Sequence, residues 1–97
     1  MVTRIVKMTF KTEETERFID IFEKYREHIR NAQGCLGLQL LRDIDNPSVF
    51  FTYSVWEQES NLELYRKSET FGQVWPLVKP LFAAPAQAWT TDLLHNL

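Results

Sequence analysis

The sequence has one cysteine, three glycines, four prolines and no excess of positive charge. Cys35 alone cannot form an internal disulfide, a thioredoxin-type pair or a cysteine-based zinc site, so we expect a reducing, cytoplasmic setting. Eleven Lys+Arg against thirteen Asp+Glu leave no basic stripe for nucleic acid. No apolar run approaches the roughly 18 residues of a membrane span, and Arg4 and Lys7 interrupt the N-terminal apolar run, so no membrane partner is expected.

The 97 residues are 44% hydrophobic and 25% charged, which is typical of a globular domain. This length predicts a single domain over residues 1–97. It buries only a small core, so pairing with a second subunit would add stability.

Hydrophobic periodicity predicts a β-α-β-β-α-β order of elements. Thr12 is the expected N-cap of the first helix, Gly34 its stop, and Ser68 the cap of a later helix that Pro76 and Pro80 interrupt. The predicted strands cover residues 2–10, 36–41, 49–56 and 86–94, and the helices cover 12–32, 57–67 and the segment after Ser68. This order indicates an α+β, ferredoxin-like plait, with helices on one face of a four-stranded antiparallel sheet.

The third predicted strand is apolar on both faces. Phe50 and Trp56 lie on one face, and Phe51, Tyr53 and Val55 lie on the other. A small antiparallel sheet usually leaves one face in water. We therefore expect helices on one side and a second subunit on the other.

No sequence motif for a phosphate loop, a metal site or a catalytic triad is present, so we looked for single residues with suitable chemistry. His28 lies on the flank of the apolar stripe of the first helix, one turn from Tyr25. An imidazole there would suit a general base near neutral pH, while the alternative is a boundary histidine bonded to backbone or water. Cys35 is interpreted as structural, and Arg66 as part of a solvated helix end.

Aromatic residues crowd the second half of the chain. They are either core and interface residues or the wall of a flat apolar pocket for a planar ligand. The two interpretations overlap and stay open for Trp56, Tyr65, Phe71, Trp75, Phe82 and Trp89.

Several segments together resemble one known family. They are Gly34-Cys35-Leu36-Gly37, Ser54-Val55-Trp56-Glu57, Leu62-x-x-Tyr65-x-x-Ser68-x-x-Phe71 and Trp75-x-x-x-Lys79-Pro80-Leu81-Phe82. In this order and spacing they are similar to the antibiotic biosynthesis monooxygenase domain of the dimeric α+β barrel superfamily. The resemblance implies a homodimer that pairs through its sheets, and a pocket in each subunit between helices and sheet.

The resemblance also implies a chemistry. Relatives oxidise phenols or anthrones to quinones with molecular oxygen and need neither metal nor flavin, so no cofactor is predicted. The protein binds the substrate, removes a proton and stabilises the anion. This resemblance, together with the flank position of His28 on its helix, makes His28 the predicted base or anion anchor, Tyr65 a hydrogen-bond donor and Trp75 a stacking wall. The full predicted substrate-binding set is Val6, Met8, Phe22, Tyr25, Phe51, Phe71 and Trp75.

Three alternatives accompany this reading. A non-catalytic dimer could bind a small aromatic or quinol-type molecule as a sensor or carrier. An isomerase or decarboxylase could use the same base without oxygen. Haem degradation, known from a sister branch, is less favoured, because Val6, Tyr65 and Trp75 stand where that branch has asparagine, tryptophan and the haem-ligating histidine.

Overall fold

The computed structural model describes residues 1–97 and contains one antiparallel sheet with three α-helices packed on one face. The sheet order is β2-β3-β1-β4. This arrangement confirms the predicted ferredoxin-like plait. The strands are β1 (Val2–Thr9), β2 (Cys35–Arg42), β3 (Val49–Trp56) and β4 (Gln87–Asp92), and the helices are α1 (Thr15–Arg30), α2 (Glu59–Arg66) and α3 (Glu69–Val78). None of these helices has the length and apolarity needed to cross a bilayer.

The first helix begins and ends differently from the prediction. Thr12–Glu14 forms a 3-10 turn, and α1 begins at Thr15 without a side-chain cap, so the prediction of Thr12 as N-cap was wrong. The buried Thr15 hydroxyl instead donates to the Thr12 carbonyl at 3.3 Å and closes the turn. The helix ends at Arg30, before Gly34, whose φ of 83° lets it turn the chain into β2.

The second helical region is divided as expected, at Ser68. The Ser68 hydroxyl accepts a hydrogen bond from the Phe71 backbone N–H at 3.3 Å, which confirms the predicted cap of α3. The interruption predicted at Pro76 is absent, since α3 continues through Pro76 to Val78, although a proline there cannot donate to the Gly72 carbonyl. Pro80 falls in the 3-10 turn Lys79–Leu81 that leads away from the helix.

The core consists of two separate clusters. The larger one is formed by Met8, Phe10, Phe18, Phe50, Val78 and Leu81. The smaller one contains Cys35, Trp56 and Leu62 at the opposite end of the sheet. Trp56 is 1% exposed, and its indole N–H donates to the Ser54 hydroxyl at 2.9 Å, so burial leaves no unpaired polar group there. The division of the core leaves room between the clusters.

The helices leave the other face of the sheet uncovered. Ile5 pairs with Tyr53 of β3 on one side and with Trp89 of β4 on the other, so the three side chains form one row on that face. Trp89 is 46% exposed, and Phe51 and Tyr53 are half-buried. The two apolar faces predicted for the third strand are therefore present, and one of them lacks a partner within the chain.

Candidate functional site

A cavity of about 390 Å³ lies between the sheet and the helices. Fifteen of its nineteen lining residues are hydrophobic. Its walls include Met8 and Phe18 from the larger core cluster and Trp56 and Leu62 from the smaller one. The cavity is thus the space that the two clusters leave between them, and its size lies in the range of about 300–1,000 Å³ usual for small-molecule sites.

The floor of the cavity is built from strand residues that point toward the helices. Thr52, Ser54 and Ala88 are small, so they leave a space that larger side chains would fill. Val6 lies opposite Thr52 and Ala88 in the sheet register, which brings the three together. Ala88 is exposed, so solvent reaches the floor at the β4 edge.

The roof is supplied mainly by α3 and α1. Phe71, Val74, Trp75 and Val78 line the cavity from α3. Their spacing of three and four residues places them on one helix face. Phe18, Phe22 and Ile29 add the contribution of α1.

One wall of the cavity is a run of packed aromatic rings. The Tyr65 ring stacks on Trp56 with centroids 5.3 Å apart and meets the edge of Phe71 at 5.5 Å. Phe71 in turn stacks on Trp75 at 5.7 Å with an interplanar angle of 10°. A planar aromatic ligand would find both ring faces and ring edges here.

Tyr65 brings a polar group to this wall. Burial, with a smaller contribution from Cys35, raises the pKa of Tyr65 to about 12. The phenol is therefore neutral at physiological pH and acts as a donor rather than a base. None of the side-chain hydrogen bonds in the structure uses its hydroxyl. The hydroxyl is thus free to bond a ligand.

Two guanidinium groups also line the cavity. Arg4 projects from β1 beside Val6, and Arg66 is the last residue of α2. Burial and the neighbouring charge of Arg66 lower the pKa of Arg4, and Glu63 opposes the effect. The lining contains no aspartate, glutamate or histidine. The arrangement can therefore hold and stabilise an anion, but it contains no ordinary general base.

Most of the predicted substrate-binding residues meet in this cavity. The structure brings together Val6, Met8, Phe22, Phe71 and Trp75 of that set, and with them Tyr65, the predicted hydrogen-bond donor. Phe51 pairs with Lys7 and Leu41, which puts it on the uncovered face of the sheet. Tyr25 is half-buried on α1 and is not part of the lining.

His28 lies at a second, smaller pocket. Its ring is 6.4 Å from that of Tyr25, and the side chain is exposed. The pocket measures about 230 Å³ and also includes Tyr65, which belongs to both linings. Its remaining members are Ala32, Gln33, Asn61, Leu64, Ser68 and Thr70. His28 therefore does not line the main cavity, and Tyr65 is the one residue that the two pockets share.

Cys35 has a structural position, as predicted. It is 7% exposed and lies in the smaller core cluster. Burial raises the pKa of its thiol, against the opposing influence of a backbone hydrogen bond with Gly37 and of the nearby Arg30. The protonated thiol is a poor nucleophile. No group of three or more histidine, cysteine or carboxylate side chains is arranged to hold a metal ion.

Sequence reasoning missed the arginines and the small polar residues of the floor. Arg4 lies two residues before Val6 and four before Met8, so the alternation of the strand puts it on the same core-facing side. A charged residue at such a position could have indicated a polar site. Ser54 and Thr52 share the parity of Phe50 and Trp56 in β3 in the same way. Arg66 carries no comparable signal, because arginine at the end of a helix is common.

Comparison with known proteins gives a consistent family result. A sequence model of the family described as antibiotic biosynthesis monooxygenase matches residues 1–75. No curated protein sequence matches significantly. Solved structures with the same fold match nearly the whole chain at 14–24% sequence identity.

Three of these structures illustrate the likeness. A Nitrosomonas europaea protein, named as a candidate antibiotic biosynthesis monooxygenase, has a TM-score of 0.91 at 20% identity, covering 98% of this chain and 100% of its own. A conserved protein from Methanosarcina mazei Go1 has a TM-score of 0.87 at 20% identity, with 93% and 90% covered. Rv0793 from Mycobacterium tuberculosis has a TM-score of 0.90 at 15% identity, with 98% and 96% covered. These similarities establish the fold.

The raised pKa of Tyr65 predicts a pH effect on stability. Between pH 10 and about 12 the unfolded phenol ionises while the folded one stays protonated, so the free energy of unfolding falls as pH rises. Tyr65→Phe should remove this loss, which amounts to roughly 2–3 kcal/mol. Urea unfolding of both proteins at pH 9 and pH 12 measures it. Parallel losses in the two proteins would contradict the assignment.

Proposed function

Because this chain belongs to the antibiotic biosynthesis monooxygenase family, we propose that it oxidises a small phenolic or anthrone-type aromatic molecule to a quinone with molecular oxygen. The observation that carries the proposal is the apolar cavity with an aromatic wall and a free, neutral Tyr65 hydroxyl. Such a site accepts a planar ring and offers a hydrogen bond to an oxygen atom on it. The proposed reaction needs no cofactor and takes place in the cytoplasm.

Molecular oxygen is the only oxidant that the proposed reaction needs. A base removes a proton from the phenol or from the anthrone methylene, and the anion that forms donates electrons to oxygen. A carbon–oxygen bond forms at the ring, the oxygen–oxygen bond breaks, and the second oxygen atom leaves as water. The ring loses four electrons in total, and oxygen gains them. The protein contributes binding, orientation and stabilisation of the anion.

The roles of the cavity residues follow from their positions. Tyr65 donates its hydroxyl hydrogen to the substrate oxygen, and this bond strengthens as negative charge develops there. Trp75 and Phe71 stack against the substrate ring, while Val6 and Met8 contact it from the sheet. Phe22 closes the α1 side. Exclusion of water by these apolar groups strengthens the hydrogen bond to the anion.

His28 is the proposed proton acceptor. It does not line the main cavity, but its pocket shares Tyr65 with that cavity. The proposed path of the proton from the substrate to the imidazole passes Tyr65, the residue that both pockets share. This role is compatible with the imidazole chemistry of a general base near pH 7.

A second candidate function is a binding module without catalysis. It is favoured by one observation, the absence of any carboxylate or imidazole in the lining of the main cavity. A protein of this kind would hold an aromatic molecule unchanged in air. Oxygen-dependent conversion separates the two candidates, and conversion without oxygen would indicate an isomerase or decarboxylase instead.

We also propose that the protein is a homodimer that pairs through the uncovered face of its sheet. Ile5, Tyr53 and Trp89 form an apolar row there, and Val55 extends it. Apolar surface of this extent on both sides of a small sheet is stabilised when a second copy covers it. A two-fold axis would place equivalent rows in contact.

Oxygen uptake tests the proposed reaction. Metal-stripped protein is offered a panel of anthrones, naphthols and dihydroxynaphthalenes, beside a protein-free control, and the products are identified by mass spectrometry. We expect protein-dependent uptake of one oxygen molecule per quinone formed. Binding without uptake for every compound would favour the binding module and contradict the monooxygenase proposal.

The same assay tests the role of His28 on whichever compound is turned over. His28→Ala should lower kcat by about 10²-fold with little change in KM, because the imidazole acts on the proton rather than on binding. His95→Ala is the matched control, since His95 is exposed near the C-terminus. If both variants keep full turnover, water rather than His28 takes the proton.

The dimer is tested by light scattering on a sizing column. The chain mass is 11.5 kDa, and we expect a particle of twice that mass at micromolar concentration. Tyr53→Lys places a charge in the apolar row and should yield monomer. Leu77→Lys is the matched control, because Leu77 is 44% exposed on α3, away from that face. A monomeric unsubstituted protein would contradict the pairing.

A further inference from the structure

Arg4 is a charged side chain in a position that the fold would normally give to an apolar one. It lies on the same face of β1 as Val2 and Val6, and it faces the cavity rather than the uncovered side of the sheet. It is half-buried, and its one hydrogen bond is donated to the Thr90 hydroxyl at 2.8 Å. A guanidinium has five N–H donors, so most of the hydrogen-bonding capacity of Arg4 is unused.

Arg66 brings a second guanidinium to the same cavity. Its Nη1 atom is 3.3 Å from Glu63 Oε1, in an ion pair whose side chains are 44% and 50% exposed. Glu63 is one turn back on α2 and does not line the cavity. Exposed pairs of this kind are weak. The lining of the cavity therefore contains two cations, and the one carboxylate paired with them, that of Glu63, lies outside the lining.

The surroundings of the two arginines compensate this positive charge only in part. Apart from the neutral phenol of Tyr65, the other lining residues are apolar or carry hydroxyls. Burial and the repulsion from Arg66 both disfavour the charged form of Arg4, and Glu63 offsets them in part. A cation held in this way is stabilised most by an anion that enters the site.

We propose that the substrate of the cavity is an aromatic acid, whose carboxylate is held by Arg4 and Arg66 while its ring lies against Tyr65, Phe71 and Trp75. The planar fork of a guanidinium matches a carboxylate in geometry and can bind both of its oxygens. This inference rests on the proposed function, since it takes the aromatic cavity as the substrate site. It adds that a phenolic substrate also carries a carboxylate.

A neutral phenol would leave this arrangement without a counter-charge before reaction. Its hydroxyl can accept from only one or two N–H groups and carries no charge near pH 7. A carboxylate is ionised at that pH and neutralises a guanidinium as soon as it binds. The ground state of the complex then has balanced charge, and Tyr65 remains available for the oxygen that is oxidised.

The test compares two ligands of the same shape, 2-naphthoate and its neutral amide, 2-naphthamide. Isothermal titration calorimetry at pH 7 measures both dissociation constants in low and in high salt. We expect the naphthoate to bind at least about 10-fold more tightly, since a charge-assisted hydrogen bond outweighs a neutral one. The advantage should shrink in high salt, because the site is partly open to solvent.

Three arginine variants assign the effect. Arg4→Gln and Arg66→Gln should each remove most of the preference for the naphthoate and leave naphthamide affinity nearly unchanged. Arg26→Gln is the matched control, since Arg26 is exposed on α1, lies outside the cavity and should keep the preference. Arg66 is exposed at the end of α2, so Arg66→Gln should fold and keeps the test valid if Arg4→Gln does not fold.

The outcomes distinguish failure of this inference from failure of the proposed function on which it rests. Equal binding of the two ligands, or equal loss of preference in all three variants, would overturn the carboxylate assignment and leave the aromatic site standing. Failure of both ligands to bind would contradict the aromatic site itself, and the inference with it. A salt-sensitive preference that disappears in the Arg4 and Arg66 variants supports both.

Discussion

A continuous contact of aromatic rings holds this domain together and shapes its cavity. It runs from Trp56 and Tyr65 through Phe71 and Trp75 to Phe82, and from there through Phe10 into the larger core cluster. Neighbouring centroids along this path are 5.3–5.7 Å apart, within the range of favourable aromatic pairs. The rings join two clusters that would otherwise be separate. Because these rings belong mainly to the helix side, the space between them and the sheet stays unfilled and forms the cavity.

The chemistry of the cavity follows from what its residues can and cannot do. Tyr65 stays protonated and donates, and Arg4 and Arg66 are positively charged, so all three favour negative charge on a ligand. No carboxylate or imidazole competes for them inside the cavity. A site of this composition stabilises an anion. In a reaction where the substrate anion itself reduces oxygen, that stabilisation is the main contribution required of the protein.

The fold could be predicted from the sequence because its signals are local and repeated. The two apolar faces of β3 and the cap at Ser68 are each signalled by a few neighbouring residues, and both predictions were confirmed. The exact beginning of α1 was not predictable, since the Thr15 hydroxyl and not the Thr12 side chain closes the turn. Pro76 was expected to interrupt a helix, but α3 continues through it and ends two residues later, at Val78.

The site was harder to predict, because a cavity is formed by elements that are distant in sequence. The sequence left open whether Phe71 and Trp75 were core or pocket residues, and the family resemblance assigned them to the substrate site. Both line the cavity. Position on a helical wheel could not tell which of two pockets His28 would face. Arg4 was counted only as a charge, although its strand parity placed it beside Val6.

The most direct test of this account is where an aromatic acid binds. The chain has three tryptophans, of which Trp75 and Trp56 line the cavity and Trp89 lies on the uncovered face of the sheet. In nitrogen-15 NMR spectra, titration with 2-naphthoate should shift the indole N–H signals of Trp75 and Trp56 and leave that of Trp89 in place. Trp89→Phe assigns the third signal. A shift of the Trp89 signal alone would place the ligand on the sheet face and contradict the cavity as the functional site.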